Sequence, residues 1–553
     1  MSALAAPAAV RPGRPRHLAG TGTLLRLALR RDRLMIPAWV LVLGLSVTAM
    51  GPAFASLYAT AAERAGLAAS MNASGSLRAL YGPVFGDSLG GLVAWRMAGL
   101  GAVLAAVMSL LIVVRHTREE EETGRQELLS AAMVGRWAPL TAALLAALLA
   151  DAGVAALTAA GLTAAGLPAV GSLALGVAIG GTGLLFAALA AIAAQLTESA
   201  RLAKGLTGAV LGAAFALRAA GDAAADGGGS PGSGAGSALT WLSPVGWAQN
   251  LRAYAGERWW VMLLPAAATA LATAAAYALT ARRDIGMSFL PARPGPARAP
   301  RSLGGPGGLA WRLQRTALAG WTAGFALAGA VFGGIVKGAT SLAGGNQRTR
   351  EIFERLGGQQ SLADAFLASL TGLLGMIAAL YAVGAVLRMR AEETGGRAEP
   401  VLAGAVGRLR WAAGHLALAL AGTAVVLAAG GLTLGIAYGA SAGDVAGGTG
   451  RVLAAALAQV PAVWTLAAAA TTVLGLLPRA TGAVWALTGG CLAVGWLGPV
   501  LQLPQWALDL SPFGHLPKLP GGAVTAAPFL WLTALTVVLI SAGLAGLRRR
   551  DIG

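Results

Sequence analysis

Apolar runs of about the 20 residues that a spanning helix needs recur along the chain, divided by short polar breaks. In the first half they predict spans near 34–58, 92–114, 138–160, 169–195, 206–220 and 261–280. In the second half they predict spans near 317–336, 365–387, 412–438, 452–476, 482–501 and 526–547. The expected fold class is an all-α polytopic membrane protein, with about 12 transmembrane helices in two homologous six-helix halves. Charged loops, mostly basic, precede the first span and follow the second, fourth and sixth of each half, while the loops between them are neutral, mixed or weakly acidic. By the positive-inside rule both termini are cytoplasmic, and the chain crosses a cell membrane many times.

The same pattern suggests four segments. Residues 1–33 form a cytoplasmic tail and an amphipathic interfacial segment, in which Leu and Arg alternate at helical spacing up to Arg33. Residues 34–286 are the first transmembrane domain, 287–308 a Pro/Gly/Arg linker, and 309–553 the second transmembrane domain. Gly221 to Ser237 has the composition of a disordered loop, and Trp241 to Trp260 that of an interfacial belt.

Composition agrees with a membrane class. The chain is 56% hydrophobic and 12% charged, against about 25% charged in soluble domains. The net charge of +18 sits at span ends, as in Arg30-Arg31-Asp32-Arg33, Arg282-Arg283 and Arg548-Arg549-Arg550. That placement argues for anionic lipid over nucleic acid as the electrostatic partner. Cys491 is the only cysteine, so no intrachain disulfide forms, and its apolar surroundings predict a packed thiol. The first twenty residues lack a signal-peptide core.

Three short patterns occur twice in the same order. Glu119 to Glu127 (Glu-Glu-Glu-Glu-Thr-Gly-Arg-Gln-Glu) returns as Glu392 to Glu399 (Glu-Glu-Thr-Gly-Gly-Arg-Ala-Glu), and each runs on into Val-Gly-Arg. The two registers agree if the second copy carries one inserted glycine. Ser243-Pro244-Val245-Gly246 returns as Ser511-Pro512-Phe513-Gly514, and Arg282-Arg283-Asp284-Ile285-Gly286 as Arg549-Arg550-Asp551-Ile552-Gly553. Even-numbered halves make the repeats parallel, not inverted. A single charged loop is usually a solvated surface. Two copies at matched places favour a contact surface.

The stretch Glu121-Glu122-Thr123-Gly124-Arg125-Gln126-Glu127-Leu128-Leu129, followed by Val134-Gly135-Arg136, resembles the loop between spans two and three of type-2 ABC exporter permeases. The fused double length and Glu392 to Leu402 resemble the actinobacterial branch named for export of polyketide antibiotics, tetronasin-type transporters among them. The resemblance implies a coupling helix that inserts into an ATP-binding subunit. It assigns coupling to Glu121, Glu122, Gly124, Arg125, Glu127 and Arg136, and again to Glu392, Glu393, Gly395, Arg397, Glu399 and Arg408. Pro400 stands where the first copy has Leu128, so the two docking sites are expected to differ.

A P-loop needs Gly-Lys before Ser or Thr. Lys204, Lys337 and Lys518 follow Ala203, Val336 and Pro517, so Gly-Lys is absent. The chain itself is expected to be no enzyme and to bind no cofactor. ATP and Mg belong on a separate ATP-binding cassette partner, expected in two copies. Three Gly-x-Ser-x-Gly matches, at 86–90, 228–232 and 439–443, lack the strand-to-helix context of a nucleophile elbow. His17, His116, His415 and His515 are too scattered for a metal site.

Asp151 lies midway along the third span, where an ionisable group is either functional or a neutral helix-packing group, and its counterpart is Thr423. Arg96 and Arg218 are expected to snorkel from span ends. Gly176 to Gly180 and Gly435 to Gly439 are expected to be helix-packing faces. The function that fits is the permease subunit of an ATP-driven exporter of amphipathic small molecules, such as antibiotics or drugs. The alternatives are a proton-coupled carrier using Asp151 and a non-transporting membrane scaffold.

Overall fold

The computed structural model describes residues 17–73, 75–130, 134–225, 238–284, 286–290, 298, 300, 303–344, 362–497 and 504–550. It forms two compact units, Met1–Pro294 and Gly295–Gly553. The described residues are helical apart from turns and one isolated bridge between Thr197 and Leu290.

In the first unit the helices are α1 (Thr21–Arg31), α2 (Met35–Leu57), α3 (Ala61–Ala73), α4 (Gly75–Tyr81), α5 (Leu89–His116), α6 (Arg118–Glu122), α7 (Arg125–Ser130), α8 (Ala138–Ala164), α9 (Ala169–Leu196), α10 (Ala200–Ala224), α11 (Ala238–Trp241), α12 (Pro244–Asn250) and α13 (Leu263–Arg282). The six expected spans are α2, α5, α8, α9, α10 and α13. The most apolar windows of α5 and α9 are 67% and 72% buried, against 28% for α2 and 22% for α13, so α5 and α9 form the middle of the bundle. Small residues let the helices close up. A Cβ on Gly176 would lie 2.5 Å from the carbonyl oxygen of Ala155, and one on Gly180 would lie 2.8 Å from that of Asp151. The expected packing face is therefore the α8–α9 contact.

The second unit holds α14 (Pro306–Gly344), α15 (Leu362–Thr394), α16 (Glu399–Leu402), α17 (Arg408–Ala442), α18 (Val445–Leu457), α19 (Val460–Leu476), α20 (Thr481–Leu497), α21 (Gln505–Leu508) and α22 (Ala526–Arg549). Gly435 and Gly439 pack against α18, again as expected. Eleven helical stretches among the described residues are long and apolar enough to cross a membrane. The one expected span not among these eleven is the eleventh in order, 482–501; it is α20, which has 17 residues before the described residues stop at 497. The tenth is two helices, α18 and α19, because Pro461 sits in the first turn of α19 and cannot continue a helix from before it.

Two expectations are corrected. Asp222 is not in a disordered loop: α10 runs through it to Ala224, and it is buried. Residues 226–237 lie outside the described residues. Arg218 does not snorkel. It is buried and pairs with Asp222 at 3.1 Å, because the acid one turn on supplies its counter-charge inside the bundle. Arg96, near the start of α5, is half-buried, and its guanidinium lies 4.3 Å over the Tyr81 ring. Helices α3 and α4 were not foreseen between the first two spans.

The repeated Ser-Pro motif keeps one geometry in both units. Ser243 precedes α12 at φ −94, ψ 124, and Ser511 precedes a short 3-10 turn, Pro512–His515, at φ −93, ψ 124. Each serine stands at an N-cap with proline next, where the missing N–H is no loss.

Candidate functional site

The first charged loop begins where α5 ends. Thr117, at φ −123, ψ −84, breaks the helix, and α6 restarts with Glu119, Glu120 and Glu121 in its first turn, where acids suit the helix dipole. Gly124 stops α6 at φ +71, a conformation that favours glycine. α7 follows from Arg125.

Most of the glutamates turn inward. Glu121 accepts from Arg118 Nη1 at 2.5 Å and Arg283 Nη1 at 2.8 Å, and from Arg283 Nη2 as well, a bidentate pair. Arg136 donates to the Thr280 carbonyl at 3.1 Å and the Arg283 carbonyl at 2.8 Å. The loop is thereby clamped to the end of α13. Glu120 pairs with Arg31 of α1 at 2.5 Å and with Arg125 at 3.4 Å. Glu119 pairs with Lys204 of α10. Glu122 accepts from the Ala200 N–H at 3.1 Å and so caps α10.

The second unit builds the same clamp. Glu393 pairs with Arg390 at 3.2 Å and with Arg550. Arg408 donates to the Arg550 carbonyl at 2.6 Å and the Arg548 carbonyl at 3.4 Å. Glu392 pairs with Arg397 at 2.9 Å and Arg388 at 2.8 Å. Gly396 holds φ +66 before α16. Pro400 falls in the first turn of α16, where proline is tolerated.

These roles correct the register of the repeat. Arg118, Glu120, Glu121, Gly124, Arg125 and Arg136 each match a residue 272 positions later, as 118 matches 390 and 136 matches 408. No glycine is inserted. Gly124 corresponds to Gly396, and Gly395 stands in the place of Thr123. Identical letters (Glu-Glu-Thr-Gly) had pulled the alignment one residue out of step with the left-handed turn.

The structure gathers the proposed coupling residues into two clusters but gives them different jobs. Glu121 and Glu393 are clamp residues with largely buried side chains, not contact surface. Arg136 and Arg408 complete the clamps. Arg125 and Arg397 are exposed and reach back to Glu120 and Glu392. Glu127 and Glu399 open the short helices and are exposed. Arg118, Arg283, Arg390 and Arg550 were missed as site residues. The signal for Arg283 and Arg550 was present, since Arg-Arg-Asp-Ile-Gly occurs at both ends, but nothing linear connects that motif to the loops.

A cavity of about 410 Å³ lies behind the first loop, lined by Thr117, Glu121, Arg136, Gln195, Arg283 and Asp284 among others. The second unit's loop differs in that α15 runs unbroken through Glu392, without the break at Thr117.

The remaining candidates lie apart from the two loops. Asp151 is buried between α5, α8 and α9 and accepts from the Ser109 hydroxyl at 2.7 Å, with its other oxygen against Gly183. Ser88 of the first Gly-x-Ser-x-Gly match caps α5 by accepting from the Gly91 N–H at 3.0 Å. Ser441 bonds the Tyr438 carbonyl, and 228–232 lies outside the described residues. His116 meets buried Asp32 at 2.7 Å, His415 meets Gln314 at 2.9 Å, and His17 stacks on Trp137. Among the described residues no group of His, Cys, Asp or Glu is placed to hold a metal. Cys491 is buried, as its apolar run implied.

Comparison with known proteins agrees with this architecture. The family described as "Multidrug efflux system permease Rv1217c, C-terminal domain" matches residues 303–548. The protein named Multidrug efflux system permease protein Rv1217c, from Mycobacterium tuberculosis (strain ATCC 25618 / H37Rv), is 46% identical over 542 residues, covering 98% of this chain and 97% of its own length. Similarity on that scale extends through both units, so the chain belongs to the family of the multidrug efflux system permease Rv1217c, a family of multi-pass proteins of the bacterial membrane.

Proposed function

We propose that this chain is the membrane-spanning permease of an ATP-driven exporter that moves amphipathic small molecules out of the cell. The observation that carries the reading is the loop clamp, built twice from corresponding residues. A loop meant only to be solvated needs no buried ion pair tying it to the end of the last span of its unit. A loop that receives force does, because force on a slack loop would not reach the spans. The exposed face left by the clamp is Glu122 to Arg125 with Glu127 in one unit, and Thr394 to Arg397 with Glu399 in the other. These faces are the docking surfaces for separate ATP-binding subunits carrying the ATP and Mg, one subunit to a loop. The near-full-length relative is named for multidrug efflux, and that name supports a drug-like cargo. The narrower assignment to polyketide antibiotics rests on the loop resemblance alone.

The test is co-expression with a P-loop ATPase encoded beside the gene, followed by co-purification and ATPase assay in lipid. Because Glu393 belongs to the clamp, its charge reversal would disrupt the loop itself. The informative variants are Glu127→Arg and Glu399→Arg. We expect each to weaken partner retention and stimulated ATPase at least several-fold while leaving the permease folded. Retention unaffected by both would remove the docking assignment.

A second reading, proton-coupled transport through Asp151, has one observation in its favour: Asp151 Oδ1 has no hydrogen-bond partner among the described residues. An Asp151→Asn chain that still exports with the proton gradient collapsed would end that reading.

A further inference from the structure

Helix α1 lies across the charged end of the first unit. Its C-terminal end joins span α2 through only Asp32 to Leu34. At its other end, the Ala19 carbonyl accepts from the Gly135 N–H at 2.9 Å, and the His17 carbonyl accepts from the Trp137 N–H at 3.0 Å, just ahead of span α8. A helix pinned to the starts of two spans runs along the membrane boundary.

One side of α1 is committed inward. Ala28 is buried, and α1 packs on α8. Arg31 pairs with Glu120, while Asp32 is held by Arg115 at 3.2 Å and by His116. The other side carries Arg26 and Arg30, one helical turn apart, and the turn after α1 carries Arg33; all three are exposed and have no side-chain partner among the described residues. The carboxylates in contact with this end of the unit's α1 segment, Asp32 and Glu120, already have cations. Leu27 and Leu34 stand beside these arginines, 42% and 78% exposed. Unpaired arginines beside exposed leucines at a membrane boundary match a layer of phosphate above acyl chain.

We propose that α1 and the turn that follows it form a binding surface for anionic phospholipid of the leaflet on the charged-loop side, with Arg26, Arg30 and Arg33 taking the headgroups and Leu27 and Leu34 entering the acyl boundary. Through Arg31 and Glu120, lipid on α1 braces the first acidic loop. The second loop has no such tie among the described residues, so the lipid acts on one unit. Basic residues near an anionic surface contribute about fivefold each in binding, so three together give roughly a hundredfold preference.

The experiment uses the full chain, purified without an ATPase partner, so it stands apart from the exporter reading. Phosphatidylglycerol and phosphatidylcholine retained by the delipidated chain are counted by native mass spectrometry. We expect a preference for phosphatidylglycerol that falls at least tenfold in R26Q/R30Q/R33Q, stays in R26K/R30K/R33K, and weakens with salt. A second measurement needs no arginine change. Thr23→Cys, labelled with a fluorophore while buried Cys491 stays unreacted, should be quenched more by spin-labelled phosphatidylglycerol than by spin-labelled phosphatidylcholine. Equal retention of both lipids by the native chain, or equal quenching, overturns the proposal. So does a triple glutamine variant that keeps its lipid preference but loses a co-purifying protein, which would make the three arginines a protein-docking surface.

Discussion

Glu121 holds the first loop by satisfying two arginines at once, Arg118 and Arg283, whose side chains are 2% and 6% exposed. Removing one partner of a buried, hydrogen-bonded ion pair costs about 3–5 kcal/mol, chiefly because the other charge stays buried and unpaired. Glu121→Gln should therefore lower the thermal stability of the purified protein sharply. Arg283→Met in the same background should recover part of the loss, giving a coupling of about 0.5–3 kcal/mol. Strictly additive losses in that cycle would show that the clamp is not the unit of stability described here. The sequence displayed these acids as one undifferentiated run. Which glutamate faces arginine and which faces water depends on neighbours 85 to 162 residues away in the chain, at Lys204 and Arg283.

At the scale of the element, each loop turns at a left-handed glycine and goes on into a short helix; the first enters that turn from the short α6, the second from the end of the long α15. Gly124 at φ +71 and Gly396 at φ +66 are the turning points. A side chain there costs about 1–2 kcal/mol through the clash of Cβ with the following carbonyl. Gly395 has no such backbone requirement, and a Cβ there meets the movable end of Arg397 at 2.6 Å. Gly396→Ala should thus destabilise the second loop, seen as faster amide exchange over 392–402, more than Gly395→Ala does. The reverse order would restore the register with an inserted glycine. The existence of the spans was legible because twenty-residue apolar runs leave the backbone no alternative in lipid. Their ends were less so. α10 extends four residues past its expected limit because Asp222 finds Arg218 and Gln249, a pairing that no local pattern announces.

For the whole molecule, two compact units with repeated ties inside each one predict that the chain can be divided. Met1–Pro294 and Gly295–Gly553, encoded separately and co-expressed, should each insert and should reconstitute export when present together. Proteolysis of one piece whenever the other is missing would show that a unit does not stand alone. The two units are not equivalent at their loops. The first is tied to α1 and α10 as well as to its own last span, while the described ties of the second run to its last span and its own arginines. The sequence hinted at this asymmetry through Pro400, but Pro400 sits harmlessly in a first turn. The difference lies in Arg31, Lys204 and the break at Thr117.

The amino-acid sequence alone determined that this is a helical, multiply spanning membrane protein, that its halves are repeats, and that acidic loops recur at matched places. Those properties are local: apolar length, charge placement and repeated letters act within a few turns of chain. Tertiary structure decided the rest. It set the register of the repeat, joined Arg-Arg-Asp-Ile-Gly to the acidic loops, and placed Asp151 in a helix contact against Ser109 and Gly183. A carboxylate's role depends on which cation or dipole reaches it through space, and in a bundle of spans that neighbour comes from another helix.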